Sequence, residues 1–156
     1  MVLLLVCALF GWRDGFLIYG RWMMKVGHFL LGIRVATSGL ERLDRRVPYV
    51  FMGNHLSFLD APLLVTVVDR PLRFIVKRFV FRIPVIGLGI RFAGYVPLDK
   101  EGVGEGRKRI ARAADFIRTK GYSFLGYPEG TRSWEGKLLP FRRGGFFLAL
   151  ETGAPI

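Results

Sequence analysis

One of the two histidines in the chain, His55, stands five positions before a carboxylate in the run Asn54-His55-Leu56-Ser57-Phe58-Leu59-Asp60. A turn of that length can fold Asp60 back onto the imidazole. An aspartate bonded to Nδ1 fixes the tautomer that leaves Nε2 free to take a proton, and it stabilises the imidazolium that forms. No serine or cysteine is needed if the nucleophile arrives on the substrate. The plainer alternative makes Asp60 the N-cap of a following helix and His55 a hydrogen-bonded loop residue. Spacing alone does not choose between the two.

A second cluster, Tyr127-Pro128-Glu129-Gly130-Thr131-Arg132-Ser133, sets a carboxylate, a glycine and a guanidinium on one turn. Arg132 can grip a phosphate in bidentate fashion, and Glu129 can accept from a neighbouring hydroxyl or hold the arginine in place. Gly130 lets the backbone approach a ligand closely. Taken alone, the segment also reads as an ordinary surface turn.

Both clusters need strands to deliver them. Tyr49 to Met52 reads as a buried strand that ends at Gly53 and hands Asn54-His55 to a loop. Ala61 to Val68 reads as a helix starting near Asp60, with Pro62 tolerated in its first turn. Leu72 to Val76 and Tyr95 to Leu98 are further strands. Arg107 to Arg118 places Ile110, Ala114 and Ile117 at helical spacing beneath a basic outer face. Tyr122 to Tyr127 is a fourth strand, and Gly144 to Thr152 a last helix. Strands alternating with helices predict an α/β sheet flanked by helices, with the loops that carry His55 and Glu129 on the carboxyl-end rim, where such sheets hold ligands. The glycines at 102, 104 and 106 and the segment Gly130 to Lys137 have the wrong spacing for a dinucleotide fingerprint and a phosphate loop.

At 156 residues the chain is long enough for one domain with a core. A 51% apolar share beside 23% charged residues excludes both a disordered chain and a polytopic membrane protein. Twenty-four basic residues against twelve acidic give net +12, which calls for a polyanionic partner, either nucleic acid or an anionic bilayer. A single cysteine, Cys7, excludes an internal disulfide and a cysteine-based zinc site and fits a reducing compartment.

The amino-terminal residues favour the bilayer. Met1 to Trp12 is almost wholly apolar, but a helix of that length spans only about 18 Å of a hydrocarbon core about 30 Å thick. From Phe16 to Ile33, Arg21, Lys25 and His28 line one helical face. Trp22, Met23, Val26, Phe29 and Leu30 cover much of the rest, the pattern of a helix lying among headgroups. The organisation expected is thus a membrane-associated helix or helix pair over residues 1–33, then one domain over 34–156. A core helix pair with solvated charges, or the remnant of a single span, is also open. The chain stops in a strand-like run, Ala154-Pro155-Ile156, and is read as cut short there.

Several motifs together resemble one family. Asn54-His55 with Asp60 resembles the NHxxxxD motif of the glycerolipid acyltransferases, the group that contains 1-acylglycerol-3-phosphate acyltransferase. Pro128 to Ser133 is similar to their PEGTRS motif. Phe74 to Lys77 with Ile83 to Gly87 resembles the family's lysine and its "iPxxG" segment. Gly94 to Lys100 sits where the family has a strand ending in Asp-Arg. Leu139 to Gly145 and the closing Ala154 to Ile156 resemble the approach to a fourth motif. The resemblance spans about residues 35–156. It implies His55 as general base and Asp60 as its orienter. It further implies acceptor contacts from Lys77, Lys100, Glu129 and Arg132, with Gly130 and Thr131 in the same substrate turn. Lys100 stands where the family has arginine, which keeps charge but loses the bidentate fork.

The activity so implied is transfer of a fatty acyl group from an acyl thioester to the free hydroxyl of a lysophospholipid, foremost 1-acylglycerol-3-phosphate giving phosphatidic acid. Acyl-CoA or acyl-carrier protein would be co-substrate, with no cofactor and no metal. The partner would be an anionic membrane surface, on its cytoplasmic face, and not nucleic acid. Two rivals stay open: an acyltransferase for another lyso-lipid, and a non-catalytic basic domain that only binds membrane. The second would have no reason to keep His55, Asp60 and Glu129 together.

Overall fold

The computed structural model describes residues 6–7, 9–98 and 103–156. Part of the apolar run expected at Met1 to Trp12 lies outside the described residues, as does Lys100.

Helix α1 (Arg13–Leu30) precedes the domain. Strand β1 (Val50–Met52), helix α2 (Asp60–Val67), strand β2 (Leu72–Lys77), helix α3 (Ile86–Phe92), strand β3 (Val96–Leu98), helix α4 (Val103–Lys120), strand β4 (Ser123–Gly126) and helix α5 (Gly144–Thr152) follow in order. The strands form one parallel sheet ordered β1-β4-β2-β3, the expected α/β architecture. Register sets Val50 and Arg73 on either side of Phe124, and Phe51 and Phe74 on either side of Leu125.

Period-two alternation sorts those residues onto two faces. Val50, Phe124 and Val96 pack against Ala113, Ala114 and Ile117 of α4 and Leu148 and Ala149 of α5. Leu72 and Leu125 pack with Phe51 and Phe74 against Leu64 and Val65 of α2. Ala113 and Ala114 are fully buried, and their small side chains let α4 lie close on the sheet; a larger residue there would overpack the core at roughly 1–3 kcal/mol. Arg73 interrupts the apolar pattern. It is 2% exposed, pairs with Asp14 of α1, donates to the Ala93 carbonyl at 3.1 Å and lies over the Tyr122 ring. A buried charge without such partners would be costly, so Arg73 fastens α1 to the sheet.

Some elements depart from expectation. A 3-10 turn at Arg78–Arg82 and helix α3 occupy a stretch whose Pro84, Gly87 and Gly89 argue locally against a helix. The glycines are there for close approach. A Cβ on Gly87 would lie 2.2 Å from the Phe81 carbonyl oxygen, and one on Gly89 2.5 Å from the Phe16 ring. Helix α4 starts before Arg107, through Gly104 and Gly106. Ala154 to Ile156 is not a strand, although the Pro155 carbonyl accepts from Val50 N–H at 3.0 Å along the outer edge of β1.

Helix α1 corrects the expected orientation of the amino-terminal charges. Arg21 is half-buried and pairs with Asp69 at 2.9 Å, and Lys25 adds to the positive field on that carboxylate. The Arg21 contact, with the Arg45 pair beside it, holds the Asp69 carboxyl below its ordinary value despite some burial. His28 meets Thr66 of α2 at 3.5 Å. Arg21 and His28 therefore face the domain rather than lipid phosphates, and the side left exposed carries Ile18, Trp22, Met23, Phe29 and Leu30. Among the described residues no helix is long and apolar enough to cross a membrane.

Candidate active site

Because all four strands are parallel, the loops after β1 and β4 and the end of β2 fall on one rim, and β4 lies between the other two. The β1 loop carries His55, the β4 loop carries Glu129 to Ser133, and β2 ends at Lys77, whose side chain is exposed.

Asp60 folds back onto the loop before it. A single oxygen, Oδ2, lies 2.9 Å from His55 Nδ1 and accepts the Leu56 and Ser57 amides at 2.7 and 2.8 Å. Helix α2 gains no side-chain cap, so the capping alternative is set aside; Asp60 is the first residue of the helix and spends its carboxylate on the histidine loop. Ser57 Oγ tightens the same turn by accepting the Leu59 amide at 3.1 Å. Burial works against the Asp60 charge. The Ser57 amide, the His55 ring and the Leu56 amide outweigh it and hold the carboxyl below its ordinary value. An ionised carboxylate can only accept, so the proton between the two groups resides on Nδ1, and in the neutral imidazole Nε2 is then the nitrogen that can take a proton.

The β4 loop locks onto this turn. Glu129 is 3% exposed; its Oε1 accepts His55 N–H at 2.9 Å and its Oε2 accepts Leu139 N–H at 3.1 Å. Each Glu129 oxygen thus takes one backbone amide, which ties the β4 loop to the histidine loop. Ser133 N–H donates to the His55 carbonyl at 2.8 Å, so both backbone polar groups of His55 are held from the same loop. Gly130 has φ 72°, a conformation that favours glycine, and a Cβ on it would lie 2.6 Å from Arg142 Nε. Thr131 is exposed.

Two features had no sequence signal beyond aromatic identity. Tyr127 stacks on the His55 ring, with centroids 4.0 Å apart and planes 11° off parallel, which fixes the plane of the imidazole. Its hydroxyl is buried without a hydrogen-bond partner among the described residues; burial, and then the Asp60 charge, push its pKa above the ordinary tyrosine value. The Arg132 guanidinium carbon lies 3.5 Å from the Phe58 ring centroid and 4.7 Å from that of Trp134.

A carboxylate-oriented histidine on the rim of a parallel α/β domain has the parts to take a proton from a bound hydroxyl. The chain belongs to the acyltransferase family, whose profile matches residues 34–156. It is 34% identical to a chloroplastic 1-acyl-sn-glycerol-3-phosphate acyltransferase, BAT2 of Brassica napus, over 90% of this chain and 43% of that protein. It is 32% identical to 1-acyl-sn-glycerol-3-phosphate acyltransferase alpha of Homo sapiens, over 97% of this chain and 53% of that one. Among solved structures it is similar to the 1-acyl-sn-glycerophosphate acyltransferase PlsC of Thermotoga maritima, with TM-score 0.77 and 27% identity over 91% of this chain and 56% of that one. The chain spans about half the length of the curated relatives it matches.

Proposed function

We propose that this protein transfers a fatty acyl group from an acyl thioester to the free hydroxyl of 1-acylglycerol-3-phosphate, giving phosphatidic acid at a membrane surface. The observation that carries the reading is the 2.9 Å contact between His55 Nδ1 and Asp60 Oδ2, made by a loop that Glu129 and Ser133 pin from beneath.

An acceptor hydroxyl is a weak nucleophile at neutral pH, so its proton must leave as it attacks. His55 Nε2 takes that proton while the hydroxyl oxygen bonds to the thioester carbonyl carbon. Asp60 stabilises the imidazolium across Nδ1. Collapse of the tetrahedral intermediate breaks the carbon–sulfur bond, and the thiolate leaves with the proton that His55 returns. The thiol belongs to coenzyme A or to acyl-carrier protein.

Arg132 and Lys77 hold the acceptor's phosphate from the same rim. Thr131 lines the turn, and Gly130 shapes it. Glu129 acts through His55, as a positioning residue. Lys100 remains a candidate phosphate contact on the resemblance alone. The exposed apolar side of α1 and the net charge of +12 support attachment to an anionic cytoplasmic leaflet.

An acyl-transfer assay offering several lysophospholipids, each with acyl-CoA and with acyl-carrier protein, tests the reading. The expected result is fastest acylation of 1-acylglycerol-3-phosphate. Turnover with another lyso-lipid alone would transfer the mechanism to a different acceptor, and membrane binding without any turnover would leave the non-catalytic alternative.

A further inference from the structure

Arg132 is half-buried beside the His55 loop, and among the described residues no carboxylate pairs with it; what it touches is two aromatic rings. We propose that Phe58 and Trp134 form an aromatic clamp that holds the Arg132 guanidinium on the rim, with its in-plane N–H groups directed at a phosphate, and so set the preference for a phosphate-bearing acceptor. The proposal rests on the reading of Arg132 as the acceptor's phosphate contact.

At 3.5 Å from the Phe58 centroid, the guanidinium carbon must lie over the face of that ring rather than at its edge. The Trp134 ring at 4.7 Å is also within cation–π range. A face contact consumes no hydrogen-bond donor, because the guanidinium N–H groups lie in its plane. The rings thus fix a long, flexible side chain while leaving its fork for a doubly anionic ligand. A carboxylate partner would fix it equally well, but it would cancel the charge and occupy the fork.

Neither ring is in place for core packing. Phe58 is 77% exposed and Trp134 is 84% exposed. Their positions in the chain are informative. Phe58 lies in the turn whose amides bind Asp60, and Trp134 follows Ser133, whose amide binds the His55 carbonyl. The clamp therefore spans the two loops of the site and fixes the phosphate contact relative to the general base. Such spacing decides whether a phosphate-anchored glycerol presents its hydroxyl at Nε2.

The test is steady-state kinetics at saturating acyl-CoA with 1-acylglycerol-3-phosphate as varied acceptor and a neutral monoacylglycerol as comparison. The variants are Phe58→Leu, Trp134→Leu, the double variant, Phe58→Tyr, Trp134→Phe, and each leucine change in an Arg132→Ala background. In the double leucine variant, KM for the phosphate acceptor should rise by roughly 3–30-fold, the range of one or two cation–π contacts. That rise should far exceed the fall in kcat. The aromatic replacements should restore KM, and the neutral acceptor should respond little. In the Arg132→Ala background the leucine changes should add less than roughly twofold, because the contact they support is gone. Trp134 is the more exposed of the two, so Trp134→Leu reads the clamp even if Phe58→Leu disturbs its loop, which thermal unfolding would reveal. The clamp is overturned if Arg132→Ala raises acceptor KM and the leucine variants do not. Equal losses with and without Arg132 would also overturn it, by showing that the rings act independently of the guanidinium. If Arg132→Ala leaves acceptor KM unchanged in an active enzyme, the phosphate assignment itself fails and takes the clamp with it.

Discussion

The buried carboxylate of Glu129 holds the backbone of His55, a residue 74 positions earlier: Oε1 accepts the His55 amide at 2.9 Å while Oε2 accepts the Leu139 amide at 3.1 Å. Each oxygen faces a donor, so Glu129→Gln must turn an NH₂ group toward one of two N–H groups. Loss of a hydrogen bond to a charged, buried acceptor should cost about 1–3 kcal/mol of stability. The effect on catalysis should appear in kcat, through a displaced His55, with acceptor KM moving less. A glutamine variant with normal stability and kcat but a raised acceptor KM would instead make Glu129 a direct substrate contact.

Asp60 has separable roles in charge and geometry. One of its oxygens takes all three contacts from His55, Leu56 and Ser57. Asparagine can keep those contacts with its carbonyl, so Asp60→Asn should fold and hold the turn while losing the counter-charge to the imidazolium. Turnover should drop by roughly tenfold or more. Asp60→Ala should also lose stability, by about 1–3 kcal/mol, because it strands two amides. The folded Asp60 carboxyl lies below its ordinary value of 3.8. Its contribution to stability is therefore fully present above about that pH and is lost as the pH falls through the lower folded value. The stability difference between the wild type and Asp60→Asn, read from acid unfolding curves, should be constant above about pH 4 and shrink steadily as the pH falls below it. Curves offset by a constant amount at every pH would mean that the carboxylate charge does not stabilise the turn.

Much of this was legible in the sequence because it is local or periodic. The strand apolar runs, the helix from Gly144 to Thr152 and the His55–Asp60 turn depend on neighbours a few residues away. Helix α3 was hidden because Gly87 and Gly89 serve packing against Phe81 and Phe16, contacts that no local pattern encodes. The charges of α1 were legible as a stripe but not in direction, since their partner Asp69 comes from the segment after α2. Glu129 was visible as a site residue, yet its engagement with the backbone of His55 depends on strand order, which places β4 beside β1. Phe58 and Trp134 carried no signal apart from being aromatic next to the two motifs.

On the proposed function, the outward side of α1 is the surface that meets the membrane. Trp22 and Phe29 are exposed on it, while Arg21 is held by Asp69. Replacing both aromatics with serine should lower partition onto anionic vesicles by roughly tenfold or more, since burying each ring stabilises insertion by up to about 1.5–3 kcal/mol. Arg21→Ala should chiefly lower the unfolding temperature, by removing one of the ties that hold α1 to the domain. Vesicle flotation and thermal unfolding read the two effects separately. Unchanged flotation of the double serine variant would move the membrane contact to another surface.

The most direct test of the account is the turnover of His55→Ala with acyl-CoA and 1-acylglycerol-3-phosphate, measured beside a check that the variant is folded. Removing a general base should lower turnover by about 10²–10⁴-fold, with membrane binding intact. Near-normal turnover in a folded His55→Ala protein would contradict the assignment of His55 as the base and, with it, the catalytic meaning of the Asp60 contact.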